Sequence, residues 1–133
     1  MTTTSETKAV CIADYLDRPY DEVCGLLERF SGRPFSDESA VPSLLVGDLV
    51  RVGRRLGRLS VRRAGATENI AELRIIAVRT GREAVTELLL VAPAMSWMSR
   101  EDRVRDAQTM LEAVVRQIDE TSMLQSKAPP LAS

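Results

Sequence analysis

The chain has 133 residues, 44% of them hydrophobic, which is the size and balance of one globular domain able to bury its own core. It contains no histidine, which excludes Ser–His and Cys–His nucleophilic arrangements and nearly every catalytic zinc site. The net charge of −1 is unevenly spread: residues 1–50 carry four bases and nine acids, 51–82 nine arginines against Glu68 and Glu72, and 83–133 five bases and eight acids.

Thr2 to Thr7 is polar and reads as a frayed start, so the domain is expected over 8–124, between disordered segments 1–7 and 125–133. The opening MTTTSETK lacks the apolar core of a signal peptide, and no apolar run approaches the ~20 residues of a membrane span. A cytoplasmic protein without membrane insertion is the expectation. Lys8 to Asp17 fits two templates. Val10, Ile12 and Leu16 share one strand face interrupted by Asp14, whereas Val10, Ala13 and Leu16 fit a short helix. Asp17-Arg18-Pro19 then punctuates the chain, with Asp21 and Glu22 placed where a helix dipole favours acids. Val23, Leu26, Leu27 and Phe30 give an apolar stripe at helical spacing. A helix from Pro19 to Phe30 follows, stopped at Ser31-Gly32. Cys11 and Cys24, both among apolar neighbours, read as reduced core residues, and no metal or cofactor motif accompanies them.

Arg33 to Pro42 reads as a loop. Leu45 to Val52 and Leu59 to Arg63 are strand candidates, and Gly47, Gly53 and Gly57 mark bends or bulges. Gly53-Arg54-Arg55-Leu56-Gly57 lacks the spacing of a phosphate-binding loop and reads as a tight turn. Ile70 to Arg79 and Glu83 to Ala92 flank Thr80-Gly81-Arg82, a hairpin signal. A two-residue loop at Thr80-Gly81 sets Ala71, Leu73, Ile75 and Ala77 against Leu90, Leu88, Thr86 and Ala84 on one clean face, with Arg74 opposite Glu87 on the other. That second face also carries Ile70, Ile76, Val78, Val85, Leu89 and Val91, so a second layer, a partner chain, or chain ends and loops are expected to cover it. Ile76, Val78, Leu89 and Val91 are the expected homodimer interface. The arginine-rich middle has no aromatic residue between Phe35 and Trp97 to stack bases, so nucleic acid is not the expected partner.

Ser99 is an N-cap candidate with Glu101 and Asp102 behind it. Val104, Ala107, Leu111, Val114 and Ile118 then recur at alternating spacings of three and four, thickened by Met110 and Val115. A helix from Ser99 to Leu124 would run on the order of 35 Å, long enough to cross a sheet.

The order of elements is strand, short Pro-started helix, loop, antiparallel meander and long amphipathic C-terminal helix. It resembles the helix-grip fold of the START-like or SRPBCC superfamily. AVCIADYLDRPYDEVCGLLERF, the hairpin and SREDRVRDAQTMLEAVVRQID carry the resemblance. Only about five strands are countable where that superfamily has seven, and 31–58 does not align with it. The resemblance implies an α+β domain whose curved antiparallel sheet packs on the C-terminal helix. It also implies non-catalytic binding of a hydrophobic small molecule, a lipid or polyketide. The cavity lining is then expected from Leu73, Ile75, Leu88, Leu90, Met110, Leu111 and Val114, with Trp97 and Met98 near the mouth. A dimeric interaction or chaperone-like module with a solid core is the first alternative, and a polyketide cyclase or aromatase the second. No catalytic constellation is legible, and the acid pairs Asp21-Glu22 and Glu101-Asp102 read as helix-dipole partners.

Overall fold

The computed structural model describes residues 9–29, 31, 34–35, 44–63, 65–80 and 83–127. The expected frayed start, most of the expected loop 33–42, the hairpin tip Gly81-Arg82 and residues 128–133 lie outside the described residues. The elements are β1 (Val10–Leu16), α1 (Tyr20–Arg29), β2 (Pro34–Phe35), β3 (Leu44–Val46), β4 (Val50–Arg51), β5 (Leu56–Arg63), β6 (Ala71–Thr80), β7 (Glu83–Ala92) and α2 (Arg100–Lys127). All strand pairings are antiparallel, in the order β1-β7-β6-β5-β3-β2, with β4 beside β5. The sheet is curved, and α2 packs on β1, β7 and α1, giving a helix-grip-like α+β domain.

One row of the concave face runs Val46, Val61, Ala71, Ala92 and Val10 across five strands. The next runs Leu59, Leu73, Leu90 and Ile12, and the third Gly57, Ile75, Leu88 and Asp14. Alternation along each strand turns the apolar side chains of these rows inward, where α1 and α2 cover them, while Asp14 on β1 is exposed. Val10, Ile12 and Leu16 do share the inward face, and β1 is a strand. The same alternation puts Cys11 on the opposite face, where it is exposed, while Cys24 is buried. Only Cys24 is therefore a core cysteine.

Strand count and register differ from expectation in instructive ways. Seven strands are present among the described residues, because β2 falls inside the expected loop and the expected strand 45–52 is two strands. β3 sets Val46 opposite Val61, and β4 sets Val50 opposite Arg58, so the β3–β4 side holds one residue more than β5. That extra residue is a bulge, and Gly47 sits in it with its N–H donating to the Ser60 carbonyl at 2.8 Å. A Cβ on Gly47 would lie 2.6 Å from Ser60 Oγ, so any larger residue there would make the Ser60 hydroxyl move.

In the hairpin, Leu73 faces Leu90 and Ile75 faces Leu88, a shift of two residues from the expected register. A shift of two preserves which face each side chain takes, so the apolar face is as expected. The Arg74–Glu87 pair does not form. Arg74 stands opposite Leu89, and its Nε donates instead to Glu72 Oε1 at 2.7 Å along the same strand.

The helices start close to where expected. The Pro19 carbonyl accepts from Val23 N–H at 3.1 Å, so Pro19 caps α1 from just outside it. Ser99 Oγ accepts from Asp102 N–H at 3.1 Å, the predicted N-cap. α2 continues to Lys127, three residues beyond the expected end.

Candidate ligand-binding site

The expected lining residues converge. Leu73, Ile75, Leu88, Leu90, Met110, Leu111 and Val114 belong to one core cluster between the concave face and α2. Leu111 is 5% exposed and the other six are closed to water. Trp97 and Met98 precede α2 in the β7–α2 connection and do not join that cluster. Trp97 is 74% exposed and Met98 half-buried.

The open concavity on this side lies at the end of the sheet. A cleft of about 230 Å³ is bounded by Pro19, Tyr20 and Asp21 from α1 and its approach, by Arg54 and Arg55 from the β4–β5 turn, and by Ala77, Val78, Ala84 and Val85 from the hairpin. Tyr20 links it to the interior. The residue is 8% exposed, and its hydroxyl has no oxygen or nitrogen partner, only the Cys24 thiol beside it. That hydroxyl lies 3.2 Å from where a Cβ on Gly57 would be, and the Cys24 sulfur 3.8 Å from the same point. Glycine at 57 thus leaves the room that the tyrosine tip occupies on the concave face. Burial pushes the Tyr20 pKa up to about 12, reinforced by the adjacent Cys24 thiol. Burial also raises the Cys24 thiol pKa, against the opposing pull of Tyr20 and Arg51. Over the outer side of the ring, the Arg51 guanidinium stands 5.7 Å from the centroid and is held by Asp21 at 3.0 Å.

A buried arginine fastens the opposite end of the site. Arg103, 2% exposed, donates to the Pro93 carbonyl at 2.8 Å, the Ile70 carbonyl at 2.5 Å and Asp106 Oδ2 at 2.9 Å. Asp106 also accepts from Arg63 at 3.0 Å. The start of α2 is thereby tied to β5 and to the ends of β6 and β7. Arg103 does not stand out in the sequence as a core residue, because charged residues are rarely core. The available signal was its spacing, four before Ala107 and seven before Met110, on the buried stripe. A second tie is Arg18, which donates to Glu22 at 2.7 Å and to Ser122 at 2.9 Å, joining the β1–α1 connection to α2. Thr86, buried on the concave face, donates to the Arg18 carbonyl at 2.7 Å.

The expected interface residues occupy the outer face. Ile76, Val78, Leu89 and Val91 are each half-buried there. Their rows are mixed: Ser60, Glu72, Val91 and Cys11; Arg58, Arg74, Leu89 and Ala13; Leu56, Ile76, Glu87 and Tyr15. Tyr15 is 59% exposed, with its hydroxyl 3.4 Å from Glu87 Oε2. A shallow cleft of about 300 Å³ on this face is bordered by Ser60, Glu72, Arg74 and Val91.

No family model matches the chain, and no curated protein matches it. Among solved structures it is similar to CalU16 from Micromonospora echinospora, at 15% identity over 93% of this chain and 78% of that one, with a TM-score of 0.49. The helix-grip-like description rests on the chain's own strand order and helix placement. No helix among the described residues is long and apolar enough to cross a membrane.

Proposed function

We propose that the domain binds a hydrophobic small molecule of lipid or polyketide kind, without chemically converting it, between the concave sheet face and α2. Leu73, Ile75, Leu88, Leu90, Met110, Leu111 and Val114 would form the walls, with Trp97 and Met98 at the rim. The observation carrying this reading is the Tyr20 hydroxyl, buried beside that apolar face with the Cys24 thiol next to it and no oxygen or nitrogen partner. Leaving such a group unpaired costs about 1–3 kcal/mol, and a ligand oxygen reaching it recovers that cost. One polar group beside an apolar wall is also how small-molecule sites fix orientation. The resemblance to the START-like superfamily points the same way. Native mass spectrometry of freshly purified, untagged protein tests it. The expected result is added mass that organic solvent removes and that diminishes in Tyr20→Phe. A clean chain mass, unchanged by incubation with lipid extracts, overturns the reading.

A homodimeric interaction module is the second reading, favoured by the half-buried apolar residues of the outer face. Its rows carry both signs, Arg58 and Arg74 in one and Glu87 in the next.

A further inference from the structure

The β4–β5 turn is held at both ends. Val52 N–H donates to the Leu56 carbonyl at 2.7 Å, and Ala77 N–H donates to the Arg55 carbonyl at 2.9 Å. Gly53 at the bend has φ 83°, a left-handed conformation that glycine adopts without strain. The turn therefore presents Arg54 and Arg55 from a fixed backbone on the rim of the cleft beside Tyr20. Neither arginine has an ion pair or side-chain hydrogen bond with another described residue. Asp21, the carboxylate on the same rim, is already engaged by Arg51. Two guanidinium groups without a described acidic partner thus share the cleft with the apolar Ala77, Val78, Ala84 and Val85.

From this juxtaposition we infer that the cleft is an anion site, in which Arg54 and Arg55 take the acidic head of a single-chain amphiphile. Guanidinium forks match carboxylate and phosphate oxygens in pairs. The alanines and valines of the cleft accept the first carbons of the chain. At about 230 Å³ the cleft suits a head and a short apolar stretch rather than a whole lipid. Tyr20, Ala77 and Ala84 line the cleft where it meets the concave face, so the remaining chain would pass beside the Tyr20 ring toward the apolar seam. The inference rests on the hydrophobic-ligand reading for the tail and adds a charged head to it.

The test is calorimetric titration of the full chain at low ionic strength with decanoate, decyl phosphate and the neutral decanol. The double variant Arg54→Gln/Arg55→Gln is compared with the wild type. Both positions are exposed, so the variant is expected to keep the fold, which its circular dichroism checks. At least one acidic amphiphile is expected to bind the wild type roughly tenfold or more tightly than the variant, with added salt erasing the difference. The tighter of the two names the head. Decanol is expected to bind both proteins equally. Equal affinity of the acidic amphiphiles for wild type and variant overturns the anion site. If decanol still binds, the hydrophobic-ligand reading stands without it; if nothing binds, both fall.

Discussion

The two faces of the β6–β7 hairpin share one backbone, one register and similar numbers of aliphatic residues, yet differ in what surrounds them. On the inner face, Leu73, Ile75, Leu88 and Leu90 are closed from water by α1 and α2. On the outer face, Ile76, Val78, Leu89 and Val91 are only half-buried, interleaved with Glu72, Arg74 and Glu87. Hydrophobicity alone therefore does not decide which face becomes core. The decision lies with the amphipathic helices, which can bury one face and leave the other to its own charges or to another molecule.

The inner face is broken most severely at the helix seam. Leu111→Arg puts a charge where only 5% of the residue reaches solvent, and the domain is expected not to fold, as read by circular dichroism. An unchanged melting temperature would remove α2 from the core. Arg103→Ala strips partners from the Ile70 and Pro93 carbonyls and from Asp106. A loss of about 3–5 kcal/mol in urea denaturation is expected, as for breaking a buried ion pair. A loss below about 1 kcal/mol would make this network an ornament of the surface.

The seam between α1 and the sheet is sharpened by Gly57→Ala. The new methyl would meet Leu49 Cδ1 at 3.1 Å and the Tyr20 hydroxyl at 3.2 Å, costing about 1–3 kcal/mol. Combined with Tyr20→Phe, the cost is expected to fall below the sum of the single changes, since one of the two obstructing atoms is gone. Tyr20 also gives the alkaline limb of stability a direction. Its folded-state pKa of about 12 exceeds the ordinary tyrosine value near 10, so its contribution is full below about pH 10 and is lost as pH rises towards 12. Denaturation midpoints across that window should fall less steeply in Tyr20→Phe. Equal slopes would place the hydroxyl in water.

The smallest effect on folding is expected from the outer face. Leu89→Glu should leave the denaturation midpoint within about 0.5 kcal/mol while lowering self-association in sedimentation velocity. A wild-type oligomer after that change would sink the second-copy reading of this face.

Much of the architecture was legible from periodicity. The alternation of β6 and β7 identifies Leu73, Ile75, Leu88 and Leu90 as inward even with the hairpin register displaced by two, because parity survives such a shift. Ser99 and the stripe from Val104 to Ile118 define the start and buried face of α2. Short pieces were not legible: β2 has two residues and β4 two, too few for any period. Cys11 was misplaced because its neighbours are apolar, although an alternating strand sends it outward. In the candidate site, the place of the Tyr20 hydroxyl was not legible, because it depends on Gly57, distant in sequence, leaving room on the sheet.

The sequence by itself determined the elements that repeat: which strand residues share a face, where α1 and α2 begin, and that one face of the hairpin is apolar but for Thr86. These follow from local geometry, since side-chain direction is set by the backbone period. Tertiary structure alone decided that Arg103 lies in the core, that the Tyr20 hydroxyl has no oxygen or nitrogen partner, and that Arg54 and Arg55, without a described acidic partner, share a cleft with apolar residues. Each of those depends on which carbonyls and charges arrive from elsewhere in the chain, and no local pattern carries that information.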